Sequence, residues 1–323
     1  MGEGLEIVFL GTAQFAVPTL RALAGGPDTV AAVFTRPDRP AGRGRRLRPP
    51  PVKVAAQELG LPLHQPDRVG GSRGLERLRA LSPDLVFVAA YGEILSEEVI
   101  SLPRLGALNL HASLLPRYRG AAPIQRALLA GESTTGVTVQ WMVRELDAGD
   151  ILFQREIAIG LSEDFGSLHD RLAALGAESA AEAVALVRQG AAPRVPQKHE
   201  QATLAPPIAR GELTVDWARP AAALVRLVRA LSPRPGARTT RRGELLKVLS
   251  AEEGKNVGEE KGIPGRVTEV TKDGFSVESG SGSLRVRRVQ PAGRKVMSAG
   301  DYVKGYRLRP GEVLGTECKC GEG

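Results

Sequence analysis

In the first half of the chain, short apolar runs alternate with segments whose apolar residues recur at helical spacing. The apolar runs predict buried strands at Ile7–Leu10, Val30–Phe34, Asp84–Ala90 and Gly106–Leu110. The helical spacing predicts helices at Val17–Leu23, Pro51–Leu59, Ala122–Ala130 and Ser167–Arg188, with extended segments at Val137–Val143 and Ile151–Ile157. Strands that alternate with helices favour an α/β fold with a Rossmann-like, doubly wound and mostly parallel sheet.

The pattern changes near residue 190. Residues 191–210 contain four prolines and follow neither period, which predicts an extended linker. After a helix at Pro220–Ala230, short β-branched runs separated by turn residues predict a small C-terminal β-barrel or sandwich: Leu245–Leu249, Gly265–Val270, Phe275–Ser279 and Ser283–Val289. We therefore divide the chain into domains 1–190 and 211–312, the linker 191–210 and a tail 313–323.

Length and cysteine content narrow the class of protein. The 323 residues suffice for about two domains of ~150 residues. Cys318 and Cys320 cannot build a disulfide framework for a chain of this length. No apolar run reaches the ~18 residues of a membrane helix, and core-like sequence begins at Leu5, so we expect no membrane insertion and no signal peptide. These features predict a cytoplasmic protein.

The positive charge of the chain is local. There are 44 basic and 36 acidic residues, a surplus of 8. Residues 36–48 carry six arginines and one acid, while residues 204–323 carry 22 basic and 14 acidic residues, so the remainder is slightly acidic. Basic patches of this kind favour a nucleic-acid partner, although an arginine run by itself is as often a solvated loop.

Polar side chains interrupt the apolar strand that ends near residue 111. Asn109 and His111 are two positions apart, so they point to the same face and place an amide beside an imidazole. A lone histidine in such a strand is more often a satisfied core group. Here the strand runs directly into a loop of Ser, Pro and Gly, a usual place for a ligand site, which favours a functional role.

Asp147 lies in a turn between the two extended segments. Asp and Gly are common at turns for backbone reasons, so spacing leaves a structural cap and a catalytic carboxylate equally open. Asn, His and Asp together suit transfer of an acyl group to an amine. Asn109 would donate to the acyl oxygen, His111 would stabilise or protonate it, and Asp147 would hold the imidazole and help to remove the amine proton.

Four motifs resemble those of the folate-dependent formyltransferases, over roughly residues 5–310. They are Asn109-Leu-His-Ala-Ser-Leu-Leu-Pro116, Arg119-Gly-Ala-Ala-Pro-Ile-Gln125, Gly136-Val-Thr138 and Asp147-Ala-Gly-Asp150. The resemblance implies transfer of a formyl group from 10-formyltetrahydrofolate to a primary amine, without a metal. It implies that Asn109, His111 and Asp147 are catalytic. It further implies that the folate is bound by the turn made of Ser113, Leu114, Leu115 and Pro116.

Two other segments resemble the members of that family that act on methionyl-tRNA. Residues 35–47 are similar to their basic insertion loop, which contacts the acceptor stem, and residues 289–297 are similar to their C-terminal OB-like barrel. The resemblance thus implies initiator methionyl-tRNA as partner of a bacterial monomer, and an OB-like barrel at 211–312. Arginines of the loop 35–50 would contact the tRNA, namely Arg39, Arg43, Arg45 and Arg46. Arg43 is the favoured specific contact because its two glycine neighbours permit close approach.

Two rival functions remain open from the sequence. Formylation of a nucleotide sugar or another small amine would explain the shared motifs and leave the arginine loop without a role. An RNA-binding protein that has lost catalysis would explain the basic patches and not the retention of Asn109, His111 and Asp147. Supplying the formyl donor with each amine in turn distinguishes these functions.

Overall fold

Residues 4–41, 46–254 and 262–315 are described by a computed structural model of the chain. The chain divides into two compact units. The N-terminal unit comprises Met1–Pro123, Thr134–Ala158 and His169–Pro206, and the C-terminal unit comprises Ile124–Ser133, Ile159–Leu168 and Pro207–Gly323. The division after Pro206 lies within the segment that the sequence predicts to be a linker.

The N-terminal unit is built on a mixed sheet. The strands of this unit are β1 (Glu6–Gly11), β2 (Thr29–Phe34), β3 (Arg39–Ala41), β4 (Arg46–Arg48), β5 (Leu63–His64), β6 (Leu85–Ala89), β7 (Ala107–His111), β8 (Thr134–Trp141) and β9 (Ile151–Ala158). β3 and β4 pair as a separate antiparallel hairpin, and the other described strands pair in the order β5-β2-β1-β6-β7-β8-β9. The pairs from β5 to β7 are parallel, whereas β8 and β9 run antiparallel at one edge. The predicted Rossmann-like, mostly parallel sheet is confirmed.

Helices connect these strands. They are α1 (Val17–Ala24), α2 (Pro51–Glu58), α3 (Ser72–Ala80), α4 (Glu97–Ile100), α5 (Pro123–Ala130) and α6 (Phe165–Arg188). The sequence patterns did not predict α3 or α4. In α3, only Leu75 and Leu78 present large apolar side chains to the core, and the arginines around them hide the helical spacing.

Both faces of the parallel strands are buried. Val8 and Leu10 of β1 lie in one core cluster with Leu78 of α3. Phe9 points to the opposite face, where its ring stacks on that of Phe87 with centroids 6.4 Å apart. Burial on both faces explains why these strands are continuous apolar runs in the sequence.

The C-terminal unit contains an antiparallel sheet packed on helices. Its elements are α7 (Ala221–Leu231), β10 (Ala237–Arg241), β11 (Glu244–Gly254), β12 (Val267–Thr271), β13 (Gly274–Glu278), β14 (Ser283–Pro291), β15 (Met297–Ser298) and α8 (Ala299–Tyr306). The described strands pair in the order β10-β11-β14-β13-β12, with β15 on β14. Apolar side chains of α7 lie in the same core cluster as Phe275 of β13 and Tyr302 of α8.

The segment that follows α8 joins the two edges of this sheet. The N–H groups of Gly311 and Leu314 donate to the carbonyls of Val267 and Gly265, each at 2.8 Å, beside β12. The N–H of Gly315 donates to the carbonyl of Thr240 on β10 at 2.9 Å. A segment bonded to both edges closes the sheet, and this agrees with the small β-barrel that the sequence predicts.

Part of the predicted linker is hydrogen-bonded to the N-terminal unit. Val195 and Ile151 exchange backbone hydrogen bonds of 2.8 and 3.0 Å. Arg119 donates its N–H to the carbonyl of Thr203 at 2.8 Å and accepts at its own carbonyl from Ala205 at 2.7 Å. Residues 195–205 are thereby fixed against β9 and against the loop that follows β7.

Candidate active site

Four polar side chains face one another on β7 and β8. In the antiparallel register, Asn109 lies opposite Gln140 and His111 lies opposite Thr138. Because side chains alternate between the faces of a strand, these two pairs share one face of the sheet. They lie where β7 ends, at the edge at which open α/β sheets bind their ligands.

The turn after β8 brings the carboxylate of Asp147 to these side chains. Its Oδ1 accepts from the amide of Gln140 at 3.1 Å and from that of Asn109 at 3.4 Å. Its Oδ2 accepts from the backbone N–H of Gly120 at 2.9 Å and lies 3.5 Å from Nδ1 of His111. The structure therefore brings together the three residues that the sequence proposes as catalytic.

The imidazole of His111 lies between two acceptors. Its Nε2 is 2.9 Å from the backbone carbonyl oxygen of Tyr118, while Nδ1 faces Asp147. A carbonyl only accepts hydrogen bonds, so Nε2 carries a hydrogen in this arrangement. The side chains of His111 and Asp147 are only 7% and 10% exposed, so little water competes for these contacts.

A close backbone approach fixes the turn that carries Asp147. A Cβ added to Gly149 would lie 1.7 Å from the carbonyl oxygen of Trp141, so only glycine fits. Asp147 itself has a φ of 50°, in the left-handed region. In the Asp-Ala-Gly turn, the glycine is therefore required by the close backbone approach, and the aspartate supplies the carboxylate of the site.

The turn predicted to bind folate is held by β8 and β9. The hydroxyl of Thr138 donates to the carbonyl of Ser113 at 2.7 Å and accepts from the N–H of Leu115 at 3.1 Å. The amide of Gln154 donates to the carbonyl of Leu115 at 2.8 Å. Ser113 is buried and donates its hydroxyl to the carbonyl of Arg117 at 2.6 Å. Leu114 and Pro116 remain partly exposed, so their apolar side chains are the accessible part of this turn.

Sequence reasoning gave no role to Thr138, Gln140 or Gln197, which hold the site together. A period-two reading of β8 would have found the first two, because Thr138 and Gln140 alternate with the apolar residues Val137, Val139 and Trp141. Nothing in the local pattern singles out Gln197. Sequence reasoning also missed Val143 and Leu146, whose apolar side chains are 40% and 57% exposed in the turn beside Asp147.

Two family models match the chain: "Formyl transferase" over residues 5–204 and "Formyl transferase, C-terminal domain" over residues 207–307. The first alone spans more than half of the sequence. The chain belongs to the formyl transferase family. This membership and the site geometry agree in assigning an enzyme that transfers formyl groups.

Similar relatives match this formyltransferase nearly end to end. It is 48% identical to the methionyl-tRNA formyltransferase of Moorella thermoacetica over 311 residues, which covers 96% of this chain and 99% of the relative. It is also 48% identical to the methionyl-tRNA formyltransferase of Halorhodospira halophila, again covering 96% of this chain and 99% of the relative.

Solved structures share the fold of this formyltransferase. HypX from Aquifex aeolicus, in complex with tetrahydrofolic acid, superposes with a TM-score of 0.65 and 20% identity over 95% of this chain and 48% of HypX. The chain thus spans about half the length of HypX. An N-formyltransferase from Helicobacter canadensis, in complex with folinic acid and dTDP-3-aminofucose, gives a TM-score of 0.67 and 14% identity over 89% of this chain and 99% of that one.

The arginine-rich loop of this formyltransferase follows β2. In the β3–β4 hairpin, Arg39 lies directly opposite Arg48, and both are exposed. Neither has an acidic partner among the described residues, and like charges in this register repel each other. The backbone of Arg46 pairs with that of Ala41. Of the proposed tRNA contacts, Arg43 and Arg45 lie outside the described residues.

Asp38 anchors the base of this hairpin. Its carboxylate accepts from Nζ of Lys53 at 2.8 Å and from the amide of Gln65 at 2.9 Å. The amide of Gln65 also donates to the carbonyl of Arg36 at 2.9 Å. The hydrogen bond from Gln65 and the charge of Lys53 lower the pKa of Asp38, which favours its ionised form. The one acidic residue of the loop therefore holds the hairpin to the N-terminal unit.

The turn after β1 lies at the same edge of the sheet. Thr12 donates its hydroxyl to the carbonyl of Tyr91 at 2.7 Å, which joins the ends of β1 and β6. A Cβ on Gly11 would lie 2.6 Å from the ring of Phe9, so this turn also needs glycine. Phe15 is buried. Its ring and the imidazole ring of His169 make an edge-to-face contact.

The described residues show neither a metal centre nor a membrane-spanning helix. They contain no group of three or more His, Cys, Asp or Glu side chains placed to hold a metal ion. No helix in the described part of the chain has the length and apolar character needed to cross a membrane.

Proposed function

We propose that this formyltransferase transfers the formyl group of 10-formyltetrahydrofolate to the α-amine of initiator methionyl-tRNA, giving N-formylmethionyl-tRNA for translation initiation. The bond from the formyl carbon to the folate nitrogen breaks, and tetrahydrofolate leaves with the proton that the amine gives up. One observation carries the proposal. Asn109, His111 and Asp147 converge at the ligand-binding edge of a chain that is 48% identical, over 96% of its length, to the methionyl-tRNA formyltransferase of Moorella thermoacetica.

Asn109 and His111 serve the formyl oxygen. The amide of Asn109 donates a hydrogen bond to that oxygen, and Nε2–H of His111 donates a second bond or its proton as negative charge develops there. Both donors lie on β7, and the pairing of β7 with β8 holds their backbone in place before substrate binds. His111 is buried and Asn109 is partly buried, so little water competes for either bond.

Asp147 serves the imidazole and the attacking amine. Its Oδ2 lies 3.5 Å from Nδ1 of His111 and stabilises positive charge on the ring while Nε2 works on the formyl oxygen. The N–H of Gly120 donates to the same oxygen at 2.9 Å, which fixes the carboxylate beside the imidazole. The carboxylate also supplies the negative charge that helps to remove the proton of the amine.

The residues around the site fit the formyl donor. When bound, the donor supplies an electrophilic formyl carbon. A folate carries a flat ring with polar edges. Beside the carboxylate of Asp147, the site offers apolar side chains that are partly or fully exposed: Leu114, Pro116, Val143 and Leu146. The Ser113–Pro116 turn is held by Thr138, so its backbone and apolar side chains meet the ring in a fixed arrangement.

Basic residues of both units serve the tRNA. In the loop 35–50, the residues that contact phosphates of the acceptor stem are Arg39, Arg43, Arg45 and Arg46. In the C-terminal unit, Lys247 lies near Arg234 and Arg238, and burial together with those two cations lowers the pKa of Lys247. Cations that lack acidic neighbours are stabilised most by a bound phosphate. This supports a contact between these residues and the phosphate backbone of the tRNA.

This proposal assigns catalysis to residues 1–190 and tRNA binding to residues 211–312, joined by 191–210 and followed by a tail at 313–323. The substrates belong to the translation machinery, so we place the enzyme in the bacterial cytoplasm, where it acts as a monomer.

The test is a formylation assay with competing amines. The purified protein receives 10-formyltetrahydrofolate with initiator methionyl-tRNA, with a dTDP-amino sugar or with a small amino-nucleotide. We expect rapid formylation of methionyl-tRNA that slows as salt rises, because phosphate contacts weaken in salt. An Asp147→Asn variant is the matched inactive control. Faster reaction with either small amine would overturn the proposal.

A further inference from the structure

Two buried glutamines lie behind the catalytic side chains, and the proposed reaction does not use them. Gln140 of β8 is 2% exposed and Gln197 is 5% exposed. Burying an amide costs free energy unless both of its ends are hydrogen-bonded. Each of these amides is bonded at both ends, and together they lead to Asp147.

Gln197 fixes the turn that carries the carboxylate. Its Nε2 donates to the carbonyls of Gly149 at 2.7 Å and Asp147 at 2.9 Å, and lies 3.2 Å from Oε1 of Gln140. Its own Oε1 accepts from the guanidinium of Arg119 at 2.6 Å. The backbone of the turn and the side chain of Gln140 are thus held by the same amide.

Gln140 then holds the side chain of Asp147. Its Nε2 donates to Oδ1 at 3.1 Å, whereas Asn109 reaches the same oxygen only at 3.4 Å. The first distance is that of an ordinary hydrogen bond and the second is a long, weak one. The two donors therefore differ in role: Gln140 restrains the carboxylate, and Asn109 is barely restrained by it.

This difference matters for the formyl oxygen. A buried carboxylate is a strong acceptor, and hydrogen bonds to it are stronger than bonds between neutral groups. Without Gln140, Oδ1 would draw the amide of Asn109 into a short bond and hold it away from the substrate. With Gln140 in place, Oδ1 keeps a donor when Asn109 turns to the formyl oxygen.

We propose that Gln140, oriented by Gln197, is a positioning residue that holds Asp147 and so leaves Asn109 available to the formyl oxygen. The proposal rests on the roles proposed above for Asn109 and Asp147. It deepens them by naming the group that keeps the two side chains from pairing tightly with each other.

The kinetic test compares two equal substitutions. Gln140→Leu keeps the side-chain size and removes the donor, and Gln189→Leu makes the same change at an exposed position past the end of α6. We expect Gln140→Leu to lower kcat by about tenfold to a hundredfold because the reacting groups are misplaced. Each substrate should keep its KM within about twofold, since binding is the same in the ground state. Gln189→Leu should match the wild type. An unchanged kcat, or a loss confined to KM, would overturn the proposal.

A double variant separates positioning from general weakening of the fold. If Gln140 acts through Asn109, then Gln140→Leu should cost little further kcat in an Asn109→Ala background. Losses that multiply in full would contradict the proposal. Gln140→Met provides a second apolar variant if Gln140→Leu does not fold.

A crystal structure of Gln140→Leu tests the same idea without any activity. The distance between Nδ2 of Asn109 and Oδ1 of Asp147 should shorten from 3.4 Å to an ordinary hydrogen bond of about 2.9 Å. An unchanged separation would overturn the positioning role. If the wild-type protein failed to formylate methionyl-tRNA, that result would contradict the proposed function. The distance between Asn109 and Asp147 in the Gln140→Leu variant would still test the positioning role.

Discussion

The Nε2 atom of His111 lies 2.9 Å from the backbone carbonyl oxygen of Tyr118, so the hydrogen that we assign to the formyl oxygen is already engaged within the protein. The carbonyl occupies the position of the acceptor that the substrate must provide. In the proposed reaction the formyl oxygen would replace this carbonyl as the acceptor of Nε2–H, while Asp147 faces Nδ1 and keeps the ring oriented.

Replacing His111 should remove catalysis and spare binding. We expect His111→Ala to lower kcat by about 10²- to 10⁴-fold, because a positioned acid or hydrogen-bond donor is lost at the formyl oxygen. Steady-state kinetics with both substrates would measure this, with the thermal midpoint as a control for folding. A variant with normal kcat would remove His111 from the reaction.

Thr138→Val should loosen the turn that we assign to the folate. The substitution keeps the shape of the side chain and deletes the hydroxyl that bonds to the backbone of Ser113 and Leu115. Leaving these buried groups without a partner costs about 1–3 kcal/mol. We expect a higher KM for the formyl donor with little change in the KM for methionyl-tRNA. Equal changes in the two constants would argue against a folate role for this turn.

Arg43→Ala should weaken use of the tRNA and leave the folate unaffected. We expect the KM for methionyl-tRNA to rise about tenfold, and Arg39→Ala should reduce the salt dependence by about one phosphate contact. Assays across a range of salt concentrations would measure both. The same fractional loss for tRNA and formyl donor would show that the hairpin acts on the site as a whole.

Gly149→Ala should destabilise the protein and inactivate it together. The added Cβ would collide with the carbonyl of Trp141, 1.7 Å away, and push the Asp147 turn from the sheet. We expect a loss of about 3 kcal/mol or more in the free energy of unfolding. Gly211→Ala is the matched control, since no heavy atom lies within 4 Å of its added Cβ. Urea denaturation would compare the two, and equal stabilities would contradict the close approach.

The partly buried imidazole of His64 should make stability fall in mild acid. Burial, and the charge of Arg77, lower the pKa of His64 from its ordinary value of 6.5. Below that value the unfolded chain takes up a proton that the folded protein resists, so this contribution is present above about pH 6.5 and is lost as the pH falls. Urea denaturation at about pH 7.5 and pH 5 should show a smaller difference for His64→Gln than for the wild type. An equal difference would assign the acid sensitivity to other groups.

The sequence by itself determined the fold class and the candidate catalytic side chains. Continuous apolar runs specified β1, β2 and β6 because strands buried on both faces need no polar positions. The spacing of Asn109 and His111 placed them on one face, since side chains alternate along a strand. The short elements α3, α4 and β5 escaped prediction because each buries too few apolar residues to show a period.

Only the tertiary structure decided how the site is assembled. The pairing of β7 with β8 sets Gln140 beside Asn109, and the chain beyond α6 returns to place Gln197 under the Asp147 turn. These contacts join residues that are 31 to 57 positions apart in the sequence, so no local pattern encodes them. They exist because buried amides and carboxylates must find hydrogen-bond partners, and the folded sheet is what brings those partners within reach.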